Sequence, residues 1–357
     1  MRVLASIQKI IKLESIEGAD KIEKATILGW NVIVEKGLYK KNDLVIYCEV
    51  DSLLPLRPEF EFLAKNNSPK KMLIDGKEVQ GYRIKTIRLR GQISQGICFP
   101  ISLISNRLDL IGSIPPIEGM DLTALMGIYK YEIPLPVELS GKVRSYFPGF
   151  FPKTDEVRIQ AFPQILERYS STGDHVDLKF YVTEKVDGTS VSLFIKDDEF
   201  HACSRNLDLL DDGKNTIWQV AKELKIEEKL KSHGLTQYVL QGELVGEGIQ
   251  KNTLKIKGHK ILFFNIYNYV AKRYLDYQEF VERMDELELE TVPVIGDNYI
   301  LWDSVDTMVK FATTKSKINP SVWAEGVVWR PLHEMKDKDI GRLSFKIVNP
   351  MYLLQYD

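Results

Sequence analysis

From Ala25 onward the chain alternates short apolar runs with brief polar breaks. ATILGWNVIVEKGLY and DLVIYCEV are rich in β-branched and aromatic residues and are punctuated by Gly29, Gly37 and Asn42-Asp43. That is the composition of short strands closed by turns. RIKTIRLRGQ and GICFPI have the same character. About five such strands within residues 1–105 predict a small β-barrel.

Residues 106–155 break that pattern. Pro115-Pro116, Pro134, Pro136, Pro148 and Pro152 fall there, with Gly112, Gly119, Gly127, Gly141 and Gly149. Such a stretch interrupts regular structure and predicts a connector between domains. A short helix near DLTALMG is expected, capped by Asp121. From 156 to 357 the periodicity is mixed. KFYVTEKVDGTSVSLFI predicts two strands joined in a hairpin at Asp187-Gly188. TIWQVAKELKIEEKLKSHG has helical spacing, as do DYQEFVERMDELEL and SVDTMVKFATTKSKI. QYVLQGELVG, KILFFNIYNYV, AEGVVWRP and RLSFKIV read as strands. The expected class is α+β, in three parts: 1–105, 106–155 and 156–357.

Composition adds limits. The 357 residues are 44% hydrophobic and 27% charged, with a formal net charge of −2. A nucleic-acid partner would therefore need its cations gathered on one face. Cys48, Cys98 and Cys203 are far apart in sequence, with no CxxC, so reduced core thiols are expected rather than disulfides or zinc ligands. Arg2, Lys9 and Lys12 interrupt the N-terminal apolar run, which therefore lacks the core of a signal peptide. No apolar run reaches membrane-spanning length. The expectation is a cytoplasmic protein with no membrane or protein partner.

The chemistry-bearing segment is Glu184-Lys185-Val186-Asp187-Gly188-Thr189-Ser190. K-x-D-G alone is a weak signal. A lysine held at a strand end beside a tight turn can nevertheless be activated by burial or by nearby cations. It could then attack an α-phosphate in line and form a phosphoramidate. Gly188 would let the backbone approach phosphate closely.

Downstream segments give this lysine a context. In order come Ser204-Arg205-Asn206, QGELVGEGIQKN with Glu243, FFNIYN with Phe264, AEGVV with Glu325, and SFKIV with Lys346. Together with KVDGTS, this series resembles the motifs of the covalent nucleotidyltransferase superfamily of RNA ligases, DNA ligases and mRNA-capping enzymes. The small barrel precedes the motifs, and only eleven residues follow Lys346. That arrangement is similar to the family-five RNA ligases, which carry an N-terminal OB-fold and a C-terminal adenylyltransferase domain with ATP-grasp-like antiparallel sheets and flanking helices. GIYKYEIP and FPKTDEVRIQ extend the similarity.

The resemblance implies ATP and a divalent metal, Mn2+ or Mg2+, as cofactors. It implies Lys185 as the nucleophile that carries AMP, and Glu184, Arg205, Glu243, Phe264 and Lys346 as ATP-binding residues. Asp187 and Glu325 would be metal ligands, since a hard cation takes oxygen donors. The implied reaction joins a 3′-OH to a 5′-phosphate, through lysyl-AMP and an adenylylated RNA end, at nicks in RNA-containing duplexes. One departure stands out. Many superfamily members have K-x-K in the last motif, and here Ser344 replaces the first lysine. Arg342, Lys315 and Lys317 are candidates for a replacement cation.

In RIKTIRLR, Arg83 and Lys85 share one strand face, as do Arg88 and Arg90. A bulge at Thr86-Ile87 would align both pairs over an apolar face of Ile84, Ile87 and Leu89, as a nucleic-acid-binding strand. Two other functions compete. One is a ligase acting mainly on DNA nicks, and the other is an inactive OB-containing RNA-binding protein.

Overall fold

The computed structural model describes residues 3–65, 67–74, 77–104, 115–131 and 143–356. The chain divides into two compact units, Met1–Pro136 and Val137–Asp357. The described parts of the expected connector, 106–155, fall in both units. Leu122 N donates to Ala5 O within the first unit, and Phe147 N donates to Asn206 O within the second. Gly112, Pro134, Pro136 and Gly141 lie outside the described residues.

The first unit contains strands β1 (Ala5–Ser15), β2 (Ile22–Ile27), β3 (Trp30–Glu35), β4 (Leu44–Cys48) and β5 (Ser52–Pro55). They are followed by β6 (Lys70–Ile74), β7 (Lys77–Arg83), β8 (Thr86–Leu89), β9 (Gln92–Gln95), β10 (Ile97–Pro100) and β11 (Tyr129–Lys130). The sheet order is β10-β4-β1-β2-β3 beside β11-β5-β7-β6, with β8-β9 as a separate pair. β1 makes the curl possible. Its first half pairs with β4 and its second half with β2, across a bulge between Ile10 and Lys12. A bulge bends a strand and increases its twist, which turns a flat sheet toward a barrel. Ile7, Ile46, Cys48, Leu54, Phe60 and Phe99 fill the interior, each large side chain adding about 1.5–3 kcal/mol of burial. The helix α1 (Thr123–Met126) packs Met126 into that core. Asp121 Oδ1 accepts from Thr123 N at 2.8 Å, although Leu122 holds the cap position.

RIKTIRLR is not one strand. β7 ends at Arg83 in the four-stranded sheet, and β8 begins at Thr86 in the separate hairpin with β9. Arg83 forms an ion pair with Asp51 at 2.7 Å. Ile84 is buried, while Ile87 and Leu89 are exposed. The expected apolar face is therefore divided. Asp51 accounts for the break. Its backbone N–H takes Ile84 O and its carboxylate takes Arg83, anchoring the chain before it turns into β8.

The second unit begins with β12 (Val143–Tyr146), β13 (Val157–Arg158) and the helix α2 (Gln164–Tyr169). Next come β14 (Phe180–Lys185), β15 (Thr189–Lys196), β16 (Glu199–Cys203), β17 (Leu207–Leu209), α3 (Thr216–Glu223) and α4 (Ile226–Ser232). Then follow β18 (Tyr238–Gly246), β19 (His259–Asn268), β20 (Arg273–Tyr274), α5 (Tyr277–Glu286), β21 (Val294–Tyr299) and α6 (Val305–Ala312). The chain closes with β22 (Gly326–Pro331), β23 (Lys336–Asp337), β24 (Gly341–Arg342), β25 (Phe345–Val348) and α7 (Pro350–Tyr356). A seven-stranded sheet runs β12-β17-β16-β15-β18-β19-β20, and a five-stranded sheet runs β13-β25-β22-β14-β21. Among the described strands of these two sheets only the β13–β25 pair is parallel.

Alternation assigns the faces. On the larger sheet Val191, Leu193, Leu240 and Leu244 meet Trp218 of α3, Leu230 of α4 and Phe280 of α5. On the smaller sheet Phe180, Val182, Val327, Trp329, Phe345 and Ile347 meet Leu166 of α2 and Met308 of α6. The intervening residues point the other way, and they include Lys185, Val328 and Lys346.

Two sequence expectations change here. The segment 216–232 is two helices, α3 and α4, because Lys225 takes a left-handed conformation at φ 53°. Asp187-Gly188 is not a hairpin turn. β14 pairs with β21 and β22, whereas β15 pairs with β16 and β18. The turn carries the chain from one sheet to the other, a distinction that local Asp-Gly chemistry does not encode. Among the described residues no helix is long and apolar enough to cross a membrane. The three cysteines are free thiols.

Candidate active site

The turn at Asp187-Gly188 is close-packed. A Cβ added to Gly188 would lie 2.3 Å from Leu244 O and 2.8 Å from Glu243 Cγ, so only glycine lets β14 cross to β15 against β18. This places Lys185, the last residue of β14, where the two sheets meet. Lys185 is opposite Gly326 in β22. In the next row Thr183 pairs with Val328, Val328 with Lys346, and Lys346 with Arg158. On the larger sheet Ser190 pairs with Glu243 and Ser192 with Gln241.

Lys185 Nζ lies 2.7 Å from the Glu325 carboxylate. Burial alone would lower the lysine, but Glu325, Glu243 and Asp187 outweigh it and hold the ammonium above its ordinary range. The same crowding acts on the acids. Burial raises Glu325, and the Asp187 charge raises it further. Burial pushes Glu243 up to about 8, with Glu325 and Asp187 adding to the shift against Lys185. Lys346 behaves oppositely. Burial, then Lys185 and Arg158, push it down to about 7. The protein thus gathers three carboxylates and two lysines in a space that tolerates few charges.

A cavity is lined by Glu184, Lys185, Glu243, Phe264, Val328 and Arg330, together with Thr154 and Glu156. At about 60 Å³ it is smaller than a nucleotide. It shares Thr154 and Glu156 with a cleft of about 430 Å³ that includes Tyr274, Arg342 and Ser344. Glu184 is buried, accepts from Lys317 N at 2.7 Å, and is raised by its burial. Phe264 is half-buried, with its ring open to the cavity rather than lost in the core.

Arg205 lies apart, half-buried, in the turn between β16 and β17 and paired with Asp155 at 2.8 Å. Asp187 accepts from Tyr352 Oη at 2.5 Å and from Thr253 Oγ1 at 3.4 Å. Among the described residues no three acidic, histidine or cysteine side chains form a ready metal cage. Two of the three candidate cations for the position of Ser344 are committed elsewhere. Arg342 is held by Glu334 and stacked 3.5 Å from the Tyr274 ring. Lys315 lies over Trp323 at 4.1 Å.

Sequence reasoning missed two cations. Arg158 is beside Lys346 because β13 adds in parallel to β25. Arg330 is 2% exposed, pairs with Glu156 at 2.9 Å, and lies 5.8 Å from the Phe264 ring centroid. Its Nε and Nη1 have no hydrogen-bond partner among the described residues. Strand alternation from Val328 could have indicated Arg330. Arg158 lies in FPKTDEVRIQ, whose resemblance gave the one local signal, but its place beside Lys346 comes from the β13–β25 pairing.

A family model described as an OB-fold domain matches residues 4–101, and one described as RNA ligase matches residues 178–348. No match is found among curated protein sequences. Among solved structures, a mutant of the Naegleria gruberi RNA ligase with AMP and Mn is 31% identical over 99% of this chain and 98% of that one, with a TM-score of 0.84. A second mutant with ATP and Mn gives 0.83 at 31% identity, over 98% of both chains. The same ligase with PPi gives 0.82 at 31% identity, over 99% and 98%. The similarity runs over nearly the whole of both chains, and the chain belongs to the RNA ligase family.

Proposed function

We propose that this RNA ligase seals nicks in RNA-containing duplexes by three nucleotidyl transfers that begin at Lys185. The neutral Lys185 amine attacks the α-phosphorus of ATP. A P–N bond forms, the bond to the β-phosphate oxygen breaks, and pyrophosphate leaves. AMP then passes to the RNA 5′-phosphate, releasing the lysine. The 3′-OH attacks that 5′-phosphorus, a phosphodiester forms, and AMP departs.

The observation that carries this reading is the Lys185–Glu325 contact at 2.7 Å beside a depressed Lys346. At rest the carboxylates keep Lys185 protonated, so the nucleophile is held inactive. The solved relatives are recorded with ATP, AMP and Mn, and the charge balance here suits the same ligands. The carboxylates of Asp187, Glu243 and Glu325 are oxygen donors of the kind that a hard divalent cation takes. When bound, such a cation supplies positive charge at the α-phosphate and competes with Lys185 for Glu325 and Asp187. Lys346 and Arg158 would hold phosphate oxygens, taking the role left by Ser344. Phe264 would stack on the base, with Glu184 and Arg330 at its edges. Arg205, outside the enclosed pocket, would serve the acceptor phosphate.

On the first unit, Arg88 and Arg90 are exposed on the β8–β9 hairpin and remain the better candidates for RNA backbone contact. Arg83 is engaged by Asp51 and Lys85 is half-buried. The division of the chain is proposed to be functional, with residues 1–105 holding duplex and 156–357 carrying the chemistry.

The test uses matched nicked duplexes with an RNA or a DNA 3′-OH, incubated with ATP and Mn2+. Sealing of the RNA end, with an adenylylated 5′-end trapped when the 3′-OH is removed, is expected. Preferential sealing of the DNA end would favour the DNA-nick reading. No adenylylation of either protein or RNA would favour a binding protein.

A further inference from the structure

Residues just after Lys346 reach two of the acids beside the nucleophile, Glu325 and Asp187. Asn349 is fully buried. Its backbone N–H donates to Glu325 O at 2.8 Å. Its Nδ2 donates to Ala324 O at 3.0 Å and to Thr314 O at 3.3 Å, while its Oδ1 accepts from Met351 N at 2.9 Å. One side chain therefore clamps the Ala324-Glu325 backbone and starts α7. One turn later Tyr352, 7% exposed, donates its hydroxyl to Asp187 Oδ2 at 2.5 Å. The end of α7 is tied down too, because Lys251 Nζ donates to Tyr356 O, in the loop that also brings Thr253 to Asp187.

We infer that Asn349–Tyr352 is a brace that fixes the Glu325 and Asp187 carboxylates relative to each other, and that Tyr352 is a positioning residue for divalent-cation binding at Asp187. The inference rests on the reading above that these two acids serve the metal. The physical reason is orientation. A carboxylate at a tight turn can rotate, and a hydrogen bond to one oxygen leaves the other aimed in a fixed direction. Asp187 lies within the crossing that Gly188 constrains and outside both strands, so it depends on Tyr352 and Thr253 for that orientation. Tyr352 does not line the cavity itself, and its hydroxyl reaches the site through Asp187.

The experiment uses the full chain with Tyr352→Phe, which keeps the ring and removes the hydroxyl. Mn2+ affinity is read by electron paramagnetic resonance in the presence of α,β-methylene-ATP, which cannot transfer AMP. The expected result is Mn2+ binding about tenfold weaker, within the range for lost outer partners of metal ligands. The Mn2+ concentration for half-maximal Lys185 adenylylation should rise by the same factor, with the ATP KM at saturating Mn2+ unchanged. Asp187→Ala and the double variant complete a cycle. Removal of the hydroxyl should have no further effect once Asp187 is gone. A merely structural Tyr352 would weaken both backgrounds equally. Unchanged Mn2+ binding in Tyr352→Phe, with weakened binding in Asp187→Ala, overturns the brace alone. Unchanged binding in both variants overturns the metal reading and the brace with it. If Tyr352→Phe unfolds, Tyr352→His, which retains a donor, replaces it. Its Mn2+ affinity should fall between wild type and Asp187→Ala, and an affinity no better than Asp187→Ala contradicts the brace.

Discussion

The site around Lys185 and the β8–β9 hairpin of the first unit are both charged, but they are built in opposite ways. At Lys185 the charges are half-buried against one another, on strands whose register sets their places. Lys346 is depressed by its burial and then by Lys185 and Arg158 beside it. On the hairpin Arg88 and Arg90 are exposed, on a short two-stranded element. Chemistry at a phosphorus atom needs groups placed to within a fraction of an ångström. Backbone contact with duplex needs only cations on the right side. The first demand leaves ordered motifs in a sequence, and the second leaves little beyond a count of arginines.

If that contrast is correct, substitutions should act through different quantities in the two regions. The largest effect on stability should come from Glu156→Ala. It leaves Arg330, 2% exposed, without its ion-pair partner. Urea unfolding should show a loss of about 3–5 kcal/mol. Next come Glu325→Ala and Lys346→Met. Each should slow Lys185 adenylylation on the order of 100- to 1,000-fold while leaving the fold intact. A normal single-turnover rate in either variant would remove that residue from the chemistry.

A smaller effect concerns pH. Lys346 titrates near 7 and Glu243 near 8 in the unliganded protein. Below 7 the lysine is charged and the glutamic acid neutral; above 8 the order reverses. A nucleotide anion without metal therefore meets less positive charge as pH rises. ATP affinity in a chelator should fall on the order of tenfold between about pH 6 and about pH 9. Mn2+ affinity should rise over the same range, as Glu243 loses its proton. Calorimetric titration checks both signs, and a flat ATP profile would contradict the assigned charge states.

The smallest effect belongs to the hairpin. Arg88→Ala with Arg90→Ala should leave adenylylation untouched and weaken nick binding a few-fold. The slope of log affinity against log salt should fall by about 1–2, as for two lost phosphate contacts. Equal sealing and an unchanged slope would move the RNA contacts to another surface.

The same contrast explains what the sequence disclosed. Strands β18 and β19 and the residues Lys185, Glu243, Phe264, Glu325 and Lys346 were legible because alternation and motif order act locally. Three features were not. The crossing at Asp187-Gly188 looks like a hairpin, since an Asp-Gly turn does not record which strands will pair. Arg158 enters only through the parallel β13–β25 pair, a contact nearly two hundred positions long. Tyr352 lies beyond the last motif, and its hydroxyl matters only because Asp187 is brought to it. In RIKTIRLR the error ran the other way, because a regular pattern of arginines suggested one strand face until Asp51 anchored the chain between Arg83 and β8.

The central claim is that Lys185 carries AMP. The most direct measurement is peptide mapping by mass spectrometry after incubation of the full chain with ATP and Mn2+. The account predicts a single AMP adduct, alkali-stable and acid-labile as a phosphoramidate is, on the peptide that contains Lys185, and no adduct in Lys185→Ala. An AMP adduct on another lysine, or equal labelling of Lys185→Ala, would contradict it.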